Sequence, residues 1–564
     1  MNNPIEKDPV SRCLCVARYL RFGFSLGEHI IFVIVCSVNN PAPQLPIIDS
    51  GALTRCRHRV RLDGLFPGKS ASEPVDTGIK QRQDAAIAKR AEIAELVIGA
   101  APERWVKINP DQSASAQARD TLAACEAGAD RIWGAVLPVE RDTGRKGRCE
   151  MLIRDDEGGG YIPVIVVNHK VTDPGQGAIT SGLFEWEPAA DPKRKVRSQV
   201  RDQMRVAQVY RMLERRGLAS PSLTAGAIGY NGDCILVHDL SAILDDYDER
   251  FADRIAVARG EVLTSPSQVS ECKSCPWWTE CKQELVRNRD VSLVAVGSRA
   301  ELLRDVGCNT IDQLAAWDGE PLEDWPHGNF DDAVVIAKAW LVDAPLVRRF
   351  EKISVTRADI EIDVDMESYQ EHGAYLWGTL LNVGGFSMYR GFATWDPLPT
   401  RDEARSFAEF WGWLMAERAA AAASGKTFAA YCYSRSAEDK WLLDSARRFA
   451  GEPGIPSKDE IREFIDSPQW VDIYQAVSDQ FICPNGKGLK KIAPVAGFNW
   501  RDAEAGGEAS MAWYREAVGY DGEPDETQRT RILQYNEDDV IATKVLREWM
   551  TDRAEKEIPL ASEL

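Results

Sequence analysis

The chain has no apolar run long enough to cross a bilayer: its strongest, Ile30 to Cys36, is far short of the roughly 20 residues a membrane helix needs. Glu28 and His29 precede that run and no small-residue cleavage pattern follows, which argues against a signal peptide. Basic excess is also missing. Against 68 Lys and Arg stand 87 Asp and Glu, a formal net charge of -19, which excludes a generally basic nucleic-acid coat but leaves room for local basic patches or acidic cation pockets. The thirteen cysteines show no regular framework, which points to a reducing compartment and a cytoplasmic protein. The composition, 44% hydrophobic and 27% charged over 564 residues, is ordinary for a globular chain of about three domains. Residues 1–45 read as a largely unstructured extension, with the apolar run as its strand-like stretch.

Three cysteines are closely spaced, Cys272-x2-Cys275-x5-Cys281, and no fourth stands nearby. Thiols at such spacing converge on one metal centre, so the fourth ligand must be remote. Cys56, in the basic segment Arg55-Cys56-Arg57-His58-Arg59, is the best candidate. Zinc and iron–sulfur clusters both accept four thiolates. One CxxC followed by a wider gap suits a [4Fe-4S] cube better than a paired zinc knuckle, and Pro276-Trp277-Trp278 supplies a shielding wall. Zinc stays the alternative.

Between these cysteines the pattern alternates helix and strand. Residues 78–99 carry apolar positions at helical spacing, stretches 132–139, 149–154 and 161–167 read as strands, a helix follows at 196–216, and 225–237 returns as sheet. Glu150 opens one strand, and Asn168-His169-Lys170 ends the next. Acids on neighbouring strands beside a lysine would hold Mg²⁺ and place a water against a phosphodiester. This arrangement resembles the PD-(D/E)xK core of RecB-type nucleases, whose relatives close their fold with one upstream and three downstream cysteines. The resemblance makes Glu150, Asn168 and Lys170 the catalytic and metal positions. Glu150 and Asn168 stand where the family carries Asp and Asp or Glu, which implies a weakened nuclease or a binding role. Lys193, Arg194, Lys195, Arg197 and Arg201 add a basic helix and lead-in that suit phosphate neutralisation.

Residues 291–352 read as a helical connector, with a glycine turn at Gly307 similar to a helix-hairpin-helix unit. Beyond it, residues 360–367 alternate strictly: Ile360, Ile362, Val364 and Met366 face one way, and Glu361, Asp363, Asp365 and Glu367 the other. A divalent cation offsets the repulsion among such acids. A solvent-facing edge strand is the bland alternative, above all for Glu361. Two further strands pair through the turn after Val383, and Thr427 to Tyr433 leads into a helix bearing Glu438 and Asp439. Tyr535 and Asp539, four apart on a C-terminal helix, point together.

That order resembles the DEDD exonuclease branch of ribonuclease H-like folds. Carried over by position, Asp365 and Glu367 form the first pair, Glu438 is the middle acid with Asp439 and Asp472 as rivals, Asp539 is the last, and Tyr535 orients the attacking water. The resemblance implies two metals, Mg²⁺ or Mn²⁺, and 3′–5′ hydrolysis. Together the halves resemble RecB-like nucleases fused to a YprB-type ribonuclease H-like domain, a type that Gly488-Leu489-Lys490-Lys491-Ile492 also fits. The expected fold is multidomain α/β: an extension (1–45), a restriction-endonuclease-like core with the cysteine cluster (46–290), the connector (291–352) and a ribonuclease H-like domain (353–564). The expected function is a nuclease of repair or nucleic-acid processing acting on DNA or RNA, mainly single-stranded, away from membranes. A single-strand-binding scaffold with degenerate sites is the alternative.

Overall fold

The computed structural model describes residues 46–68, 77–197, 199–504, 506–520 and 522–564. The N-terminal extension and its apolar run lie outside them. The chain divides into two compact units, Met1–Leu65 with Lys89–Leu263, and Phe66–Ala88 with Thr264–Leu564. Both are mixed α/β, as the alternating patterns predict.

The first unit is built on ten strands: β1 (Trp105–Lys107), β2 (Arg131–Trp133), β3 (Met151–Arg154), β4 (Tyr161–Val166), β5 (Thr172–Pro174), β6 (Ala178–Ser181), β7 (Ala189–Asp191), β8 (Arg194–Val196), β9 (Thr224–Ile228) and β10 (Ile235–Asp239). Eight form one mixed sheet in the order β1-β2-β3-β4-β9-β10-β6-β7, and β5 pairs with β8. Every residue of β4 is buried. Ile162, Val164 and Val166 pack with Ile93 and Val97 of α1 (Thr77–Ala100), while Tyr161 and Ile165 share the opposite core with Met204 and Ala207 of α2 (Val200–Glu214). A strand covered on both faces reads as a continuous apolar run, which is why it stood out in the sequence.

Two expectations differ from the structure. The regular strand predicted over 132–139 ends at Trp133, where Gly134 takes φ +76°. Beyond it the pairing goes on as an isolated bridge of Val136 with Arg148, with the Cys149 N–H donating to the Ala135 carbonyl and the Leu137 N–H to that of Gly147, both at 3.0 Å. Lys193 lies in a turn and Arg194 and Lys195 on β8, which pairs with β5, so the basic lead-in to the helix is a turn and a strand. Asp191 accepts the backbone N–H of Lys193 at 2.8 Å, an Asx turn between β7, which pairs with β6, and β8. The helix begins at Val200.

Past Thr264 the second unit carries short helices packed around Leu303, Ile311, Leu314 and Phe330. Gly307, at φ +84°, makes the turn between the helices Ser298–Asp305 and Ile311–Ala315. Strands β11 (Val347–Arg348) and β17 (Phe481–Ile482) pair with each other. Five strands form the main sheet: β12 (Ile360–Tyr369), β13 (Gly373–Val383), β14 (Phe386–Ala393), β15 (Phe428–Cys432) and β16 (Trp470–Asp472), in the order β14-β13-β12-β15-β16. Pairing is antiparallel from β14 to β12 and parallel from β12 to β16.

The acidic strand β12 is therefore central, not an edge. Ile360, Ile362 and Val364 pack with Phe407, Phe410 and Trp411 of α3 (Asp402–Ala423) and Trp441 and Leu442 of α4 (Ser436–Arg448). Each such side chain taken fully from water contributes about 1.5–3 kcal/mol. The other face is covered by α5 (Leu489–Ile492), α6 (Gly507–Val518) and α7 (Glu526–Asp552), through clusters that include Tyr375, Ile532, Leu546 and Trp549. Alternation along β12 thus drives one face into an apolar core and forces four carboxylates under a helical layer.

Candidate metal-binding active site

The four acids of β12 meet two fates. Glu361 and Asp363 are buried against Arg547 of α7. Arg547 donates to both oxygens of Asp363 and, at 3.1 Å, to Glu361, while its guanidinium lies 3.9 Å from the Tyr431 ring centre. Arg357 adds two bonds to Glu361 at 2.7 and 3.0 Å. Burial pushes Glu361 upward, but the Arg357 hydrogen bonds and the two guanidinium charges outweigh it and hold the carboxyl at about 2. This half of the strand is an ion-pair lock.

Among the described residues, Asp365 and Glu367 have no such cation paired to them. With Asp539 of α7 they bring one carboxylate oxygen each to within 4.8 Å of one another. Burial, followed by repulsion from Asp539, Glu367 and Glu438, raises Asp365 well above the usual carboxylate range. Burial and Asp539 push Glu367 up to about 8. Three acids this close, Glu367 and Asp539 buried and Asp365 half-buried, are stable only as partly protonated groups or around a cation.

Neutral donors fix each acid without cancelling its charge. Asn536 donates to Asp365 Oδ2 at 2.8 Å and accepts from the Tyr389 hydroxyl at 2.9 Å, which sets its amide orientation. Ser510 donates to Glu367 Oε2 at 2.8 Å, and the Trp500 indole N–H donates to Asp539 Oδ1 at 2.7 Å. Lys490 Nζ donates to the Tyr535 hydroxyl at 2.9 Å and stands 4.4 Å from that ring's centre. The Tyr535 hydroxyl also bonds Asp539, and burial with the surrounding acids drives its pKa far up, so the phenol keeps its proton.

Asn536 reaches Asp365 because residue 378, opposite Asp365 in the ladder, is glycine. A Cβ there would fall 1.5 Å from Asn536 Oδ1. Gly378→Ala is expected to displace the amide, to destabilise the protein by about 1–3 kcal/mol as other overpacking changes do, and to weaken cation binding. Unfolding curves with and without Mn²⁺ check this, and an unchanged Mn²⁺ response would sink it.

Among the three sequence candidates for the middle acid, Asp439 accepts from Arg435 at 2.7 Å and from Trp470 at 2.9 Å. Asp472 accepts the backbone N–H groups of Ser434 and Tyr474. Both are committed to holding the fold. Glu438 is 4% exposed, its Oε2 is buried without a hydrogen-bond partner, and burial followed by Asp472, Asp439 and Glu367 pushes it up to about 8. An orphaned buried carboxylate oxygen beside three acids fits a divalent cation.

A pH-dependent result follows. Glu367 and Glu438 sit near 8 when folded against about 4.3 for a free Glu. Raised carboxyls bind more protons in the folded state, so metal-free stability falls as pH rises from about 4.3 through 8. Mn²⁺ or Ca²⁺ should raise the unfolding temperature most at about pH 8.5 and much less at about pH 6. Equal increments at both pH values would contradict a cation held by these acids.

In the first unit Glu150 is engaged by two arginines. It accepts from Arg205 at 2.7 and 2.9 Å and from the Val166 backbone N–H at 2.9 Å, and Arg90 lies 3.0 Å away. Asn168 is half-buried and Lys170 exposed, while His169 pairs with Asp202 at 2.8 Å. Arg194 is tied to Asp191 and Asp233, and Arg197 to Asp173; Lys193, Lys195 and Arg201 are exposed. Cys56 precedes the helix Arg57–Leu65 of this unit, and Cys272, Cys275 and Cys281 follow one another through a 3-10 turn and the helix Trp278–Arg287 of the second unit. All four are half-buried.

A model of the RNase H superfamily matches residues 448–551. The C-terminal domain is ribonuclease H-like. The match includes Lys490, Trp500, Tyr535 and Asp539 and stops short of Asp365, Glu367 and Glu438; the RNase H-like sheet is what brings the two sets together. No curated protein and no solved structure matches the chain. The RNase H-like assignment points to nuclease-type activity on nucleic acid. No helix among the described residues is long and apolar enough to cross a membrane.

Sequence reading missed Asn536, Trp500, Ser510 and Tyr389. Only Asn536 left a signal, as the neighbour of Tyr535 on the helix.

Proposed function

We propose that the RNase H-like domain is a divalent-metal-dependent exonuclease that removes nucleotides from the 3′ end of single-stranded DNA or RNA, in repair or nucleic-acid processing. One observation carries this reading: the convergence of Asp365, Glu367 and Asp539 within 4.8 Å, with no paired cation, among the described residues, of the kind that locks Glu361 and Asp363. Asp365, Glu367 and Asp539 would hold Mg²⁺ or Mn²⁺, with Glu438 completing the set. Bound there, the metal supplies Lewis-acid polarisation of the phosphate and a water of lowered pKa.

The protein groups have separable tasks. Asn536, Ser510 and Trp500 fix the oxygens of Asp365, Glu367 and Asp539. Tyr535 keeps the proton on its Oη, donates toward Asp539 and has a remaining lone pair with which to orient a water. Lys490 brings a half-buried ammonium to the rim, where a phosphate oxygen needs a counter-charge.

The first unit is proposed as a strand-binding element that does not cut. The Arg205 and Arg90 pairing of Glu150 favours this, because a carboxylate held by two guanidiniums is a poor cation ligand. Exposed Lys193, Lys195 and Arg201 suit backbone phosphates. Cys272, Cys275 and Cys281 are proposed as thiolate ligands of a [4Fe-4S] cluster, with zinc as the alternative; iron, sulfide and zinc analysis of anaerobically purified protein separates the two.

The test uses 5′- and 3′-labelled single-stranded DNA and RNA with Mg²⁺ or Mn²⁺. Asp365→Ala should abolish nucleotide release while Lys170→Ala leaves it unchanged. Loss in Lys170→Ala alone would move the chemistry to the first unit. No release by wild type on any substrate would favour a binding scaffold.

A further inference from the structure

The RNase H-like domain presents two aromatic rings beside the acids on a loop with no regular structure, residues 498–502. Trp500 bonds Asp539 through its indole N–H at 2.7 Å. Phe498 meets Trp500 edge to face, 5.1 Å between ring centres. Both rings are half-buried, and Phe498 is not part of any of the apolar cores.

The loop is held in place by charge. Arg501 donates to Asp538 through its backbone N–H at 2.9 Å and its Nε at 2.7 Å, and to Glu537 at 2.7 Å. From the same helix, Arg531 binds Asp502 and Glu504. Charge-assisted bonds of this kind are the stronger ones, and several together preorganise a loop that has no ladder of its own. The cation side is present as well, with Lys490 Nζ 5.6 Å from the Trp500 ring centre. An aromatic face for a base, an ammonium for a phosphate oxygen and a carboxylate cluster for the cation that the reacting phosphate needs lie within one contact of each other.

We propose that Phe498 and Trp500 form a stacking platform for the unpaired terminal base of the strand whose phosphate lies at Asp365, Glu367 and Asp539. This rests on the exonuclease reading and adds its specificity: the platform reads a π-face, so it accepts every base and disfavours an end that is paired or lacks a base. Trp500 has a second duty, positioning Asp539.

Two measurements on the full chain test it. In turnover, Phe498→Leu should raise KM about tenfold on an ordinary single-stranded end, from the usual worth of base stacking, with kcat held. On an oligonucleotide ending in an abasic residue, wild type and Phe498→Leu should be equal. Trp500→Phe, which keeps a ring and removes the N–H donor, should lower kcat and leave KM nearly unchanged. The same loss in Phe498→Leu on both substrates, or none on either, overturns the platform.

In binding, a 2-aminopurine placed at the 3′ or the 5′ terminus reports stacking through its fluorescence, with Ca²⁺ present and Asp365→Asn protein to prevent turnover. Quenching at one terminus, lost when Phe498→Leu and Trp500→Leu are added, supports the platform even if wild type shows no hydrolysis. Hydrolysis by wild type without quenching at either terminus overturns the platform and leaves the exonuclease reading standing.

Discussion

Asp365→Asn is expected to cut metal-dependent nucleotide release by at least about a thousandfold and, in the same protein without metal, to raise the unfolding temperature. The two effects share a cause. Asp365 is raised by burial and by the charges of Asp539, Glu367 and Glu438, so the metal-free site stores repulsion that one amide relieves. The substituted side chain can still accept from Asn536, whose amide donates to Oδ2 in the native protein, so geometry is kept and charge alone is lost. A thousandfold loss is about 4 kcal/mol of transition-state stabilisation, within reach of one ligand to a catalytic cation. Adding Mn²⁺ should reverse the order of stability, because wild type gains from the ion and the variant does not. Kinetics with melting curves in EDTA and in Mn²⁺ check both halves. An inactive variant that is also less stable without metal would mean that Asp365 is a structural residue.

Legibility in the sequence followed periodicity. The acidic strand stood out because alternation over Ile360 to Glu367 is strict, and Tyr535 with Asp539 because helical residues four apart share a face. Local spacing could not separate Glu438 from Asp439 or Asp472. What distinguishes them is tertiary: Asp439 and Asp472 are consumed by Arg435, Trp470 and backbone N–H groups, and Glu438 Oε2 is left over. Trp500 and Phe498 left no trace because their loop has no period and is positioned by Arg501 and Arg531 through distant acids. In the first unit, Gly134 at φ +76° ended the regular strand early, and the turn at Asp191 followed by β8 delayed the helix to Val200, neither of which apolar spacing marks. The Arg205 and Arg90 partners of Glu150 come from two different helices, which no reading of neighbouring residues brings together.

The same argument makes Arg547 the residue whose loss should cost most in stability. Arg547→Met is expected to destabilise the protein by about 3–5 kcal/mol, the usual result of removing one partner from a buried ion pair. Glu361 and Asp363 would then keep their charges under α7 with only Arg357 nearby. Asp363 is already raised by burial despite Arg547, and without that guanidinium it rises further. A carboxyl raised in the folded state costs stability as pH climbs through its pKa, so the gap between variant and wild type should be wide at about pH 8 and narrow toward about pH 5. Glu361 has the opposite sign in wild type: held at about 2, it contributes stability above the usual carboxylate range that is lost as pH falls toward 2. Adding Glu361→Gln and Asp363→Asn to Arg547→Met should recover most of the loss, since replacing a whole buried cluster is far milder than stranding half of it. Mn²⁺ should not rescue Arg547→Met, because the lock and the cation-binding acids occupy different stretches of β12. Rescue by Mn²⁺ would mean that the strand is one continuous cation site and that Arg547 only stands in for a metal.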